Sequence, residues 1–214
     1  MANRNINDIY NILLYIARKQ RGVFITPDEA MTILDNGQME LMQKGFDQYQ
    51  INQTIVDILS PFKEKIQTTT QSDGQCVMTS DYAHLLGSVY TIYGSTVNAV
   101  KFVNEDELPL VLTNLLRPVN LSNPIAIDSA LGFQVFPNTA QTIFYTYLRR
   151  PVKPYLAYTQ VGRTITYDPA NSIQIEFYDI YVNDIIARAL KYLGINIDEQ
   201  GIEQFAVMQQ QETI

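Results

Sequence analysis

The side chains able to do chemistry are few. Cys76 is the single cysteine and His84 the single histidine. A thiolate–imidazole pair with Asp81 or Asp73 orienting the ring is the arrangement a cysteine hydrolase needs. Nothing around Cys76 resembles a nucleophile motif, and its alternating apolar–polar surroundings fit an inert, buried thiol. One histidine excludes a multi-histidine metal site. Glu105-Asp106-Glu107 could be read as metal ligands, yet acids at a helix start are explained more simply by the helix dipole. The chain contains no glycine-rich phosphate loop, no GxSxG, no paired-cysteine zinc spacing and no EF-hand pattern. No enzyme, metal or cofactor emerges from these residues.

The remaining candidate is a knot of positive charge, Arg149-Arg150-Pro151-Val152-Lys153-Pro154. Its cations suit carboxylate or phosphate oxygens, and the prolines would fix its direction. It could hold an acidic neighbour or a nucleic-acid backbone; the plain alternative is a solvated turn between strands. An acidic candidate follows Gly194, where Asp198, Glu199, Glu203 and Glu212 meet no basic residue. There Ile202, Phe205, Ala206 and Met208 could form an apolar stripe. Alone so short a segment is marginal as a helix; it is a loose end or an arm that folds onto a neighbour. The interface candidates are therefore Arg149, Arg150, Lys153, Ile202, Phe205 and Met208.

Positioning falls to elements legible in the pattern. Thr142–Leu148 reads as a strand with β-branched or aromatic residues on both faces, hence central and covered. Tyr155–Thr159 and Arg163–Tyr167 read as extended chain around Gly162. Turn chemistry at 168–172 precedes an alternating strand, Ile173, Ile175 and Phe177 against Gln174 and Glu176. From Asp179 the period becomes helical and closes at Gly194, a C′ cap. This stretch predicts a sheet with a helix laid back on it.

Upstream, Ile6–Gln20 is an amphipathic helix ended by Gly22. Thr26-Pro27-Asp28-Glu29 opens a long helix through a capping box, with proline at the first helical position. It runs toward Tyr49, with a bend predicted at Asn36-Gly37, and a short helix spans Gln53–Leu59. Beyond Pro61, Lys63–Thr70 and Gln75–Met78 read as a hairpin about Ser72-Asp73-Gly74. Thr79–Leu86 starts a brief helix or a strand. Val89–Tyr93 and Val97–Val103 are extended about Gly94-Ser95, and a helix is predicted from Asn104 to about Leu116. Ile125–Ile127 and Phe133–Phe136 are short strands. The fold class predicted is α+β: N-terminal helices (residues 1–60), a mainly antiparallel sheet packed by a C-terminal helix (61–194), and a C-terminal arm (195–214).

Composition bounds the function. The 214 residues are 46% apolar and 17% charged, enough for a core. Fifteen basic against 22 acidic residues give −7, which argues against a DNA-coating protein. It does not exclude a wall that nucleic acid slides past, since repulsion prevents sticking. A lone cysteine fits a reducing compartment. With no run of transmembrane length and no signal-like start, a soluble protein made in the cytoplasm is expected. The 14 tyrosines suit either a β-rich core or subunit contacts.

The segments ITPDEA, TSDYAHL, ELPLVL…LRPV…PIAI, GFQVFP, YLRRPVKPYLAYT and YDPANSIQIEF followed by IIARALKYLGINI resemble a family of phage neck proteins. These are the ring, or head-to-tail connector, proteins of crAss-like bacteriophages of Bacteroides-type hosts. The likeness runs from about Thr26 to Ile197. It implies a virion structural protein, a homo-oligomeric ring, a dodecamer, beneath the portal. Its partners would be the portal, other neck and tail proteins, and passing genomic DNA bound without sequence preference, with no membrane. It supplies no catalytic residues. Two rivals stand beside it: a small adaptor binding a phage or host protein as monomer or dimer, and a hydrolase using Cys76 and His84.

Overall fold

The structure, a computed structural model, describes residues 4–22, 24–49, 57–139, 141–161 and 164–195. The fold is α+β. Phe62–Arg150 forms one compact unit, and the described residues before and after it form a second. The N-terminal helices and the described segment after Arg150 belong to the same unit.

The helical unit begins with α1 (Ile6–Arg21) and α2 (Pro27–Asp47). Asn5 caps α1 through its side chain, and Gly22, at φ 65°, ends it with its N–H on Arg18 O. The capping box at Thr26 and Glu29 forms as the sequence predicts. Ile6, Ile9, Leu13 and Ile16 are all buried. At about 1.5–3 kcal/mol per buried aliphatic side chain, that stripe outweighs the ~1 kcal/mol of a cap. The cap places the helix start; burial holds the helix in the protein. The predicted helix Gln53–Leu59 lies mostly outside the described residues, which hold its last turn from Asp57.

β9 (Tyr158–Val161) pairs antiparallel with β10 (Thr164–Tyr167). The predicted strand 173–177 is not one. Only an isolated bridge joins Tyr155 to Ile173. Its alternation has another cause: Gln174 Oε1 accepts the Ile6 N–H at 2.7 Å and Glu176 Oε2 accepts the Val152 N–H at 2.8 Å. Ile175 and Phe177 point into the core. Polar residues that the pattern assigns to solvent here satisfy backbone donors of other segments.

The C-terminal helix, Asp179–Tyr192, ends in a Schellman arrangement: the Gly194 N–H reaches Lys191 O and the Ile195 N–H reaches Leu190 O. Gly194 adopts φ 69° to allow it. The helix packs along α2 and touches α1. Arg188, nearly buried, spans the pair, bonding Asp184 at 3.0 Å and Glu40 at 2.6 Å. Gly37 lets the two backbones meet. A Cβ there would stand 2.9 Å from Ile185 O and 3.3 Å from Ala189 N. Successive contacts Gly37–Ile185 and Glu40–Arg188 mean that both helices run in the same direction.

The second unit holds two sheets. The first has the order β1 (Lys63–Thr69), β8 (Thr142–Arg149), β3 (Tyr82–Tyr93), β4 (Thr96–Ala99). The other has β2 (Gln75–Val77), β7 (Gly132–Phe136), β6 (Ile125–Ser129), β5 (Lys101–Phe102), with β5 parallel to β6. The predicted hairpin about Ser72-Asp73-Gly74 does not form. Its turn is present, but β1 pairs with β8 and β2 with β7, so the turn hands the chain from one sheet to the other. β8 is an interior strand as predicted. Ile143, Tyr145 and Tyr147 point into a core with Cys76, Val89, Ala126, Phe133 and Val135. Phe133 meets Tyr145 edge-on at 6.0 Å. β1 and β8 are in register from Lys63–Leu148 to Thr69–Thr142.

The helix predicted from Asn104 to Leu116 is shorter. A 3-10 turn at Glu105–Glu107 leads into α3 (Leu108–Leu112), which stops there. The C-terminal helix, Asp179–Tyr192, is α4.

Gly37→Ala tests the α2–α4 contact. Alanine adds up to ~1 kcal/mol of helix propensity, but the clash is with backbone and overpacking costs about 1–3 kcal/mol. The thermal midpoint should fall by a few degrees in circular dichroism, whereas Asn36→Ala on the exposed side of α2 should not lower it. A raised midpoint for Gly37→Ala would mean that the helices do not touch there.

Candidate subunit interface

The catalytic candidates are drawn into structural roles. Cys76 is buried in the sheet core, and burial pushes its thiol up to about 11. A thiolate at neutral pH is therefore disfavoured. His84 is half-buried on β3 opposite Leu148, while its neighbour Leu85 lies opposite Tyr147. Alternation thus places His84 on the sheet face away from the core that holds Cys76. Asp73 Oδ1 accepts the Gln75 N–H at 2.9 Å, closing the turn. Asp81 accepts the Tyr147 hydroxyl at 3.3 Å. A hydrogen bond from Thr79 chiefly holds the Asp81 carboxyl below the usual range, with Tyr147 and Arg149 adding to it. Glu105, Asp106 and Glu107 form the exposed 3-10 turn, and no cluster of potential metal ligands occurs among the described residues.

The residues of the basic knot divide between the two units. Arg149 Nε pairs with Glu64 at 3.2 Å and its guanidinium lies 5.4 Å from the Phe62 ring centre. The Arg150 N–H is held by Asp81 O at 2.7 Å and its side chain is exposed. Both belong to the unit Phe62–Arg150. Lys153, in the other unit, donates to Thr32 Oγ1 at 3.2 Å. Pro151 and Pro154 are buried, and Gln38 Nε2 bonds Val152 O at 3.1 Å. The prolines therefore seat the segment in its own unit. Ile202, Phe205 and Met208 lie outside the described residues.

Sequence reasoning passed over the apolar surfaces. In the unit Phe62–Arg150 one of them follows α3. Leu110 is 74% exposed, and Leu115 and Leu116 are 94% and 97% exposed. Asn114 Oδ1 accepts the N–H groups of Leu116 and Arg117 at 3.0 and 3.2 Å, so a side-chain-closed turn presents these leucines. The signal was the run LPLVLTNLL, read only as the body of a helix.

A second surface is the β3–β4 end of the first sheet on the face away from the Cys76 core; nearer its other end Leu86 and Leu148 on that face are buried. Gln67, Phe144, Tyr90 and Ala99 stand in one row across all four strands. The Tyr90 and Phe144 rings stack at 5.0 Å, and Lys65 Nζ sits 5.7 Å from the Tyr90 ring centre. Beyond them Ile92 faces Val97, 47% and 63% exposed. The signal here is LLGSVYTIYGSTVNAV, residues 85–100, which contains no charge. β4 is an edge strand without the lysines or prolines that keep such edges apart.

The helical unit has a recess of about 710 Å³ along α1, lined by Tyr10, Leu14, Arg18, Phe24, Leu156 and Tyr158 among others. The Tyr10 hydroxyl donates to Ile25 O at 3.0 Å, and the Arg18 guanidinium lies 5.3 Å from the Phe24 ring centre. Burial raises the Tyr10 phenol above its ordinary value. Among the described residues the lining combines apolar and aromatic side chains with one cation, Arg18, the make-up of a binding groove.

Two measurements follow. Iodoacetamide at pH 8 should leave Cys76 unmodified in the folded chain and label it rapidly in guanidinium; fast native labelling would restore a reactive thiol. For Asp81, the folded carboxyl titrates below its unfolded value of about 4. Its contribution is therefore present above pH ~4 and is lost as pH falls through the folded value. Asp81→Asn should flatten the fall in thermal midpoint between roughly pH 5 and 2, and an unaltered acid limb would remove the carboxylate's role.

No protein-family model and no curated protein matches the chain.

Proposed function

We propose that this chain is a ring-forming head-to-tail connector subunit of a phage neck, joining portal to tail components around the passing DNA. The observation that carries the reading is the pair of unlike apolar surfaces on the unit Phe62–Arg150: the leucine-bearing turn and the β3–β4 end of the first sheet. A monomer seldom leaves adjacent leucines and an uncharged strand edge in water. A head-to-tail ring needs two different, complementary patches on each copy, each interface burying at least ~1,000 Å² in total. The likeness of its motifs to neck ring proteins points the same way. Twelve copies at −7 each would surround DNA with an acidic wall, which repels rather than traps it.

Native mass spectrometry and negative-stain electron microscopy test this, with the purified chain alone and with the portal ring of the same particle. The reading expects a closed ring of high order. Leu115→Asp with Leu116→Asp should abolish it while leaving the circular dichroism spectrum unchanged. A chain that stays monomeric or dimeric even with the portal present would favour an adaptor instead.

A further inference from the structure

The recess along α1 matches an acidic, apolar segment, and we propose that it receives residues 196–214 of a neighbouring copy. The inference rests on the ring reading and adds the contact that would lock one copy to the next. Among the described residues no carboxylate lines the recess, while Arg18 stands at it beside Phe24 and Tyr158. That is notable in a chain with 22 acidic residues. The C-terminal segment is its complement: four acids, no cation, and an apolar stripe of Ile202, Phe205 and Met208. Phe205 and Met208 are the anchor types that fill such hollows, with acids left to meet the guanidinium.

Reach argues for a second copy. α4 starts beside the head of α1, where Arg4 Nη1 bonds Asn183 at 2.7 Å and the Arg4 N–H bonds Asp179 at 2.5 Å. The next turns of α1, from Asn7, line the recess. α4 then runs 14 residues, about 20 Å at 1.5 Å per residue, and its last turn lies against Met39–Gln48 at the far end of α2. Residues 196–201 span at most about 20 Å when fully extended. The chain's own Ile202 would therefore arrive at the near end of the recess only with that linker taut, while a neighbour's segment is under no such limit.

Two arms test the proposal on the full chain. A fluorescein-labelled synthetic peptide of residues 196–214 is added to the Phe205→Asp, Met208→Asp variant, whose own segment cannot compete. Anisotropy should show saturable micromolar binding, weakened at least tenfold by Arg18→Glu in a chain with an unchanged circular dichroism spectrum. No binding, or binding indifferent to Arg18→Glu, overturns the proposal. In the second arm the Phe24→Cys, Met208→Cys variant is prepared from an equal mixture of heavy-nitrogen and unlabelled chains and oxidised. Cross-linked peptides that combine the two isotopes support a neighbour's segment. Cross-links confined to like isotopes assign the recess to the chain's own segment, and no cross-link at all removes the contact; both overturn the proposal. A closed ring seen by microscopy alongside either failure would leave the connector reading standing and remove only this lock.

Discussion

The inward row Ile143, Tyr145 and Tyr147 on β8 is the contact on which the second unit depends. β8 bonds β1 on one edge and β3 on the other, so it organises its own sheet. The same row packs on Cys76, Phe133 and Val135 of the second sheet, so it also joins the layers. Tyrosine suits the task because its ring buries like phenylalanine while the hydroxyl can leave the core. Tyr147 does this, its hydroxyl donating toward Glu64 at 3.2 Å and Asp81 at 3.3 Å. Burial pushes the Tyr145 phenol up to about 12, so this row stays uncharged across the physiological range. Removal of the row would separate both sheets at once.

Where local physics decides, the sequence was readable. The capping box at Thr26 and Glu29, the αL ends at Gly22 and Gly194, and the alternation of β8 each depend on residues close in the chain. What escaped was decided by distant partners. The turn at Ser72-Asp73-Gly74 is real, yet nothing local says that β1 and β2 separate into different sheets. Residues 173–177 alternate because Gln174 and Glu176 answer amides of Ile6 and Val152, far off in sequence. Gly37 reads as a helix weakness and is instead the place where α4 comes closest. In the candidate interface, Arg149 and Lys153 were chosen for charge, and their partners in the fold, Glu64 and Thr32, lie far off in sequence. The leucines after α3 were read as the last turn of a helix, which stops at Leu112 instead.

The functional reading follows from what the two cores leave over. Each unit closes a hydrophobic interior and still presents apolar surface: leucines and a sheet face on one, a lined hollow on the other. Such surface is costly to a lone molecule, since exposed apolar patches promote association. It is useful to a subunit whose neighbours are always present. Of the chemistry-bearing residues, Cys76 is sealed in the core, Asp81 accepts a hydroxyl and Asp73 closes a turn. Among the described residues no helix is long and apolar enough to cross a membrane, so no such helix accounts for this surface.

The pairing of Lys63 with Leu148 has a consequence for modularity. The sheet unit leaves and rejoins the rest of the chain at two points only a strand spacing apart, about 5 Å. Inserted modules are tolerated best with such neighbouring ends. The helices on either side of the insertion see one short gap whatever fills it. The sheets can therefore lengthen, shed a strand or be exchanged for another cassette without moving the joints.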